Sequence, residues 1–215
     1  SKPRYSRPQI LDCSDGQEPC IHIVEGRHPC VDGTHSGGEF IPNDLTLGAL
    51  GSNPDAASER VLLLSGPNMG GKSTLLRQTC MIAILAQVGC YVPATECSLT
   101  PVDRIFTRLG ASDRILMGQS TFFVELAETA GALRGATRRS LVIMDELGRG
   151  TSTFDGTAIA SACVEHLVQH NQCLTLFATH YHSLLEEWKA EPTVRLGHMQ
   201  CNVEGGFDDQ EDASD

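Results

Sequence analysis

Gly66-Pro67-Asn68-Met69-Gly70-Gly71-Lys72-Ser73 has the residue types and spacing of a phosphate cradle, GxxxxGK[ST]. The glycines let the backbone fold so that successive N–H groups converge on one anion. A helix starting near Lys72 aims its positive end at the same place. Lys72 is long enough to reach the β and γ phosphates of a nucleotide, and the Ser73 hydroxyl is a ligand type for Mg²⁺. Leu141-Val142-Ile143-Met144-Asp145-Glu146 supplies the other half. Four apolar residues followed by two acids put Asp145 at the carboxyl edge of a buried strand, where ligands gather in open α/β sheets. Asp145 suits a water-linked Mg²⁺ there, and Glu146 suits polarising a water for attack on the γ-phosphorus. A second carboxylate beside the metal acid points to hydrolysis rather than transfer to an acceptor. Ala178-Thr179-His180 ends a third apolar run at the same edge, which makes His180 a candidate γ-phosphate sensor or water-positioning group.

These groups meet only if strands and helices alternate around them. Val61–Leu64, Leu141–Met144 and Leu174–Ala178 are short continuous apolar runs, expected of parallel strands buried on both faces. Helices are expected over Ser73–Val88, Ser120–Thr137 and Asp155–Gln169, the first ended by Gly89 and Pro93. Further strands are expected at Ile21–Val24, Leu45–Leu47, Arg104–Thr107 and Val194–Val203. Gly48–Ser58 reads as a loop. The fold class is therefore α/β, a mostly parallel sheet flanked by helices, with a small antiparallel β portion on the N-terminal side. Residues 1–20 read as an irregular arm, 21–203 as the folded domain and 204–215 as an acidic, disordered tail.

The chain has 215 residues and a formal net charge of −11, and from Glu204 onward it carries six acids and no base. An acidic chain lacks the basic face that replaces counterions, so it is not expected to grip nucleic acid strongly by itself. The same balance disfavours a polybasic membrane contact. The longest apolar run, Cys80–Ala86, is far short of the ~20 residues a membrane helix needs. Ser1–Ile10 is polar with two prolines and does not read as a secretory leader. Nine cysteines, none in a CxxC pair, read as reduced thiols acting as small core hydrophobes. His166 and His170 stand four apart on a helix without a supporting carboxylate or thiol, and read as surface histidines.

The loop Gly66–Thr74, down to its Asn68-Met69 filler, resembles that of MutS-type DNA mismatch repair ATPases. Gly26-Arg27-His28-Pro29, Phe40-Ile41-Pro42-Asn43-Asp44, Tyr91-Val92-Pro93-Ala94 and Ile105–Asp113 agree in order and spacing. So do Ser120–Glu125, Asp145–Thr153 and Thr179-His180-Tyr181. The resemblance runs from about Glu25 to Val203, and Arg195-Leu196-Gly197-His198-Met199 looks most like the large subunit of the eukaryotic mismatch-recognition heterodimer. It implies a P-loop NTPase of the ABC class that hydrolyses ATP with Mg²⁺. Asn68 and Lys72 would contact phosphates within a nucleotide-binding set Gly66, Pro67, Asn68, Met69, Gly70, Gly71, Lys72, Ser73 and Thr74. Ser73 and Asp145 would serve the metal, Glu146 would be the base and His180 the switch histidine. Phe40 would pack on the adenine. Ser120 would reach across a dimer to the partner's γ-phosphate, and Asp145–Thr153 would include the loop that talks to the opposite site.

It further implies a heterodimer with a second MutS-family subunit and a nuclear location. ATP would switch the mismatch-recognition dimer into a sliding clamp, which a downstream repair ATPase would engage. Mismatched DNA would be read by domains absent from this chain, as are the family's further strands and C-terminal helical dimerisation element. The competing readings are another ABC-class ATPase, of a transporter or of chromosome maintenance, and a fragment that binds nucleotide without hydrolysing it. Gly118-Gln119-Ser120-Thr121-Phe122 stands where a transporter has LSGGQ, which counts against the first. Arg104, Arg108 and Arg114 flank a glycine-containing loop and read either as a communicating element or as solvated charge. Arg134, Arg138 and Arg139 with Glu125 and Glu128 read as an exposed helix face. Phe123 is expected to pack under its helix, and Trp188 to be a partly buried anchor.

Overall fold

A computed structural model describes residues 5–12, 18–32, 40–49, 58–67, 70–109 and 121–200. Its centre is a five-stranded sheet in the order β6-β7-β8-β4-β9, with every neighbouring pair parallel. The strands are β4 (Val61–Ser65), β6 (Ile105–Arg108), β7 (Leu141–Asp145), β8 (Leu174–Ala178) and β9 (Val194–His198). All residues of β4, β7 and β8 are buried, as their unbroken apolar runs require. Strand period sends alternate residues to opposite faces. Leu62, Leu64, Leu141, Ile143, Leu174 and Leu176 join one core, while Val61, Leu63, Val142, Met144 and Phe177 join the other.

The first core is closed by α2 (Lys72–Gln87) and by a second sheet. That sheet runs β1-β5-β2-β3, from β1 (Gln9–Ile10), β5 (Glu96–Leu99), β2 (Cys20–Gly26) and β3 (Asn43–Gly48). β2 pairs antiparallel with β3 and β5, and β1 joins β5 in parallel. A one-turn helix α1 (Pro29–Asp32) follows β2. The second core is covered by α3 (Thr121–Gly135), α4 (Thr153–His166) and α5 (His182–Trp188).

The expected architecture is present, and the differences lie mostly at its edges. Residues 1–20, expected to be irregular, contribute β1 and the first residue of β2. β5 and α5 are additions to the sequence reading. β5 alternates polar and apolar residues over only four positions, and α5 is only seven residues long, so neither carries a period long enough to stand out. α4 begins two residues earlier than Asp155 because the Ser152 side chain accepts the Asp155 N–H (3.1 Å) and caps it. Past His166 the helix widens into a π turn, Leu167–Asn171. The Asn171 amide leaves that turn to donate to the Leu133 and Ala136 carbonyls (3.0 and 2.9 Å), which caps the C-terminal end of α3. The last strand stops at His198, and Asn202 and Val203 lie outside the described residues, as does the tail 204–215.

The thiols are only partly the core residues expected: Cys30 and Cys90 are exposed, Cys20 is buried, and four others fall in the two cores. Cys80 and Cys97 sit in the first, Cys163 and Cys173 in the second. Loss of water around the sulfur pushes the Cys80, Cys97 and Cys163 thiols up to about 11, and raises that of Cys173 as well. No described helix is long and apolar enough to cross a membrane. Alkylation of the folded chain by iodoacetamide at pH 8 is expected to label exposed Cys90 first, and Cys80, Cys97 and Cys163 only after denaturation. Peptide mapping that finds all four labelled at equal rates before unfolding would contradict the packing.

Candidate functional site

Three neighbouring strand ends converge at the carboxyl edge of the parallel sheet. In the order β7-β8-β4 they deliver Asp145-Glu146, Thr179-His180 and the loop from Gly66 to Gly71. Backbone bonds tie them together: Thr179 N–H donates to Leu64 O (2.9 Å) and Glu146 N–H to Ala178 O (3.0 Å).

The loop after β4 is bent tightly enough to require glycine. Gly66 has φ 131°, and a Cβ there would stand 2.7 Å from the Met199 carbonyl, just beyond β9. Gly70 N–H closes the turn onto Pro67 O (2.9 Å). Gly71 (φ 85°) caps α2 without a side-chain hydrogen bond, and the first turn contains no acid. The N–H groups of that turn therefore lack a side-chain partner at the cap and match an anion. Pro67 is exposed and Thr74 half-buried in that first turn; Asn68 and Met69 lie outside the described residues.

Lys72 is 2% exposed, and its ammonium donates to the carbonyls of Gly66 (2.6 Å) and Pro67 (3.0 Å). It also lies 3.9 Å from Glu146 Oε1. Ser73 Oγ donates to Asp145 Oδ2 (2.7 Å). Asp145 is buried, and its other oxygen, Oδ1, has no hydrogen-bond partner. An orphaned carboxylate oxygen in the interior is costly unless a cation or donor meets it. Two hard oxygens on facing elements, one of them unpartnered, fit Mg²⁺, which takes few protein ligands and completes its shell with water and phosphate. No group of three or more His, Cys, Asp or Glu able to hold a metal occurs among the described residues.

Glu146 adopts φ 52°, a left-handed backbone uncommon outside glycine. Its carboxylate accepts from Arg149 (2.6 Å) with Oε2 and faces Lys72 with Oε1. The neighbouring acids Asp145 and Glu146 thus face different partners. The exposed His180 ring lies against Tyr181, with centroids 4.2 Å apart. Phe40 is buried in another group, on the small-sheet side. The Arg27 guanidinium lies 5.9 Å from the Phe40 ring centroid and donates to its carbonyl (3.3 Å) while pairing with Asp32 (2.7 Å). Lys72 contacts Glu146 and Ser73 contacts Asp145; His180 shares the edge, the contacts described for Phe40 are with Arg27, and Ser120 lies outside the described residues.

Two expectations about α3 are corrected. Glu125 is not on a solvated face. It is buried, accepts the Gly148 N–H (2.8 Å) with Oε1 and lies 3.6 Å from the Arg108 guanidinium through Oε2. The helical period contained the signal, because Glu125, Thr129 and Ala132 fall on one buried stripe. Phe123, on the opposite side, is 63% exposed rather than packed under its helix. Arg108 is likewise buried rather than solvated, and it also approaches Glu128 (3.6 Å). Arg114 lies outside the described residues. Trp188 is buried, as expected of an anchor.

Residues 62–212 match the family model described as MutS domain V. The chain is 56% identical to the DNA mismatch repair protein Msh6 of Gallus gallus over 204 residues, covering 94% of this chain and 15% of that protein. It is 57% identical to the DNA mismatch repair protein MSH7 of Arabidopsis thaliana over 170 residues, 79% of this chain and 15% of that protein. To the DNA mismatch repair protein MutS of Treponema pallidum it is 56% identical over 199 residues, 93% of this chain and 21% of that protein. The chain thus spans about a sixth of the Msh6 and MSH7 relatives and about a fifth of the bacterial one.

The turn after Glu146 gives a direct test of the site's geometry. Gly148 has φ 88°, and a Cβ there would lie 2.7 Å from Gly156 Cα. Gly148→Ala is expected to destabilise the chain by about 2 kcal/mol or more, from left-handed strain plus overpacking. Urea denaturation that finds the variant within about 0.5 kcal/mol of the parent, the range of a neutral surface change, would contradict the tight turn.

Proposed function

The chain belongs to the MutS family of DNA mismatch repair proteins, and from that premise we propose that it is the Mg²⁺-dependent, ATP-hydrolysing part of such a protein. The observation that carries this reading is the Ser73–Asp145 contact, which leaves a buried carboxylate oxygen unpartnered beside the phosphate loop. Gly66–Gly71 would wrap the phosphates with backbone N–H groups, with Asn68 and Thr74 assisting and Pro67 and Met69 shaping the turn. Lys72 would exchange its bonds to the Gly66 and Pro67 carbonyls for phosphate oxygens. Ser73 and Asp145 would hold Mg²⁺, which when bound offsets phosphate charge. Glu146, already 3.9 Å from Lys72, would take the proton of the attacking water as general base. His180 would orient that water or sense the γ-phosphate, and Phe40 would pack on the adenine.

Ser120, just before α3, would reach a partner subunit's nucleotide, and Asp145–Thr153 would carry the message between sites, as in ABC-class ATPases. A helix N-terminus supplied in trans contributes donors only when two subunits close. On this reading ATP switches a heterodimer on mismatched DNA into a sliding clamp in the nucleus, for a downstream repair ATPase to engage. Arg195–Met199 favours the large subunit of that heterodimer. The acidic balance of this chain favours DNA contact through other parts of the protein.

Two substitutions separate binding from hydrolysis. Glu146→Gln in the intact protein with its partner is expected to keep ATP binding and lower turnover by about 10² or more. Lys72→Ala is expected to weaken ATP binding itself, measured by calorimetry. Unchanged turnover in the first removes Glu146 as the base, and unchanged affinity in the second removes Lys72 from the phosphate site.

A further inference from the structure

Both backbone polar groups of Gly148 are held by buried side chains from other elements. Glu125 of α3 accepts its N–H (2.8 Å), and the Tyr181 hydroxyl donates to its carbonyl (3.1 Å). Tyr181 immediately follows His180, so one residue of the turn after β7 joins α3 to the strand end that carries the histidine. The fit is tight on the far side too, since a Cβ on Gly156 would come 2.1 Å from the Tyr181 oxygen.

Glu146 stands two residues upstream in a left-handed backbone, which persists only where the surroundings over-determine it. Its N–H is fixed to Ala178 O, Leu147 is buried in the second core, and the next described backbone hydrogen bond along the chain is at Gly148. Glu125 is 4% exposed and keeps its place beside the Arg108 guanidinium at the end of β6 (3.6 Å). It lies one helical turn past Thr121, the first residue of α3. A shift of that first turn would therefore pull on the Gly148 N–H.

We propose that Glu125 is a positioning residue for hydrolysis: by holding Gly148 it fixes the Glu146 turn against α3 and against the Thr179–Tyr181 segment. The inference rests on the reading of Glu146 as the base, and it adds a route by which movement of α3 reaches that base without touching nucleotide. Glu125 contributes orientation, and nucleotide affinity does not depend on it.

The test compares Glu125→Ala, Glu125→Gln and Tyr181→Phe in the intact protein with its partner subunit. Glu125→Ala is expected to lower kcat about tenfold or more while KM and ATP affinity stay within about twofold, the pattern of a misplaced catalytic group. Glu125→Gln keeps an oxygen for the Gly148 N–H and is expected to recover most of kcat. Tyr181→Phe is expected to lower kcat less, and the double variant Glu125→Ala/Tyr181→Phe to be no slower than Glu125→Ala alone.

Hydrogen exchange of the Gly148 amide gives a readout independent of turnover, expected to speed up in Glu125→Ala and to hold in Glu125→Gln. Should Glu125→Ala fail to fold, the glutamine and phenylalanine variants carry the comparison through kcat and amide exchange. Glu125→Ala with kcat within twofold of the parent, Glu125→Gln as slow as alanine, or an unchanged Gly148 amide would each overturn the proposal. A parent protein that neither binds nor cleaves ATP would instead overturn the hydrolytic reading, and the Gly148 amide would still report on the latch.

Discussion

The hydrogen bond from Ser73 to Asp145 joins the two halves of the site. It runs from the first turn of α2 to the end of β7, across the intervening β8. A hydroxyl bonded to an ionised acid contributes about 1.5–3 kcal/mol, enough to hold a helix start and a strand end in one register. Its more important property is what it leaves unsatisfied. Asp145 Oδ1 is buried with no partner, so the fold carries an anionic oxygen that gains from a cation at this edge. Lys72 lies 3.9 Å from Glu146 at the same edge, which brings a positive and a negative group within ion-pair range beside that oxygen's strand end.

The rest of the chain makes that edge possible. Parallel strands place all their carboxyl ends on one side, and β4 and β7 each pair with β8 residue by residue along their length, which brings the three ends level. α2 and the small sheet support one face; α3, α4 and α5 support the other. The Glu125–Gly148–Tyr181 contacts then connect the second face to the turn that holds Glu146. Support and chemistry thus share residues: the helix that covers the core also grips the turn of the proposed base.

The elements that the sequence made plain are those with strong periods or fixed backbone demands. The three buried strands, α2 and the glycine loop follow from unbroken apolar runs and from a motif whose glycines face a neighbouring backbone, as Gly66 faces Met199. What stayed hidden depends on tertiary contact. β5 is paired on both sides by β1 and β2, but at four residues its alternation is too short to mark a strand by itself. Glu125 looked like one of several surface acids, because charge outweighed its place on the stripe with Thr129 and Ala132. Phe40 illustrates another kind of gap: its type suits stacking on a base, but local residues do not reveal that Arg27 already lies beside its ring.

Calorimetric titration of ATP with and without Mg²⁺, on the parent and on Asp145→Asn, tests the central claim most directly. Mg²⁺ is expected to tighten ATP binding to the parent and this gain to disappear in Asp145→Asn, while metal-free ATP binds both alike. A Mg²⁺ gain of the same size in the two proteins would contradict it, because Asp145 would then have no part in holding the cation.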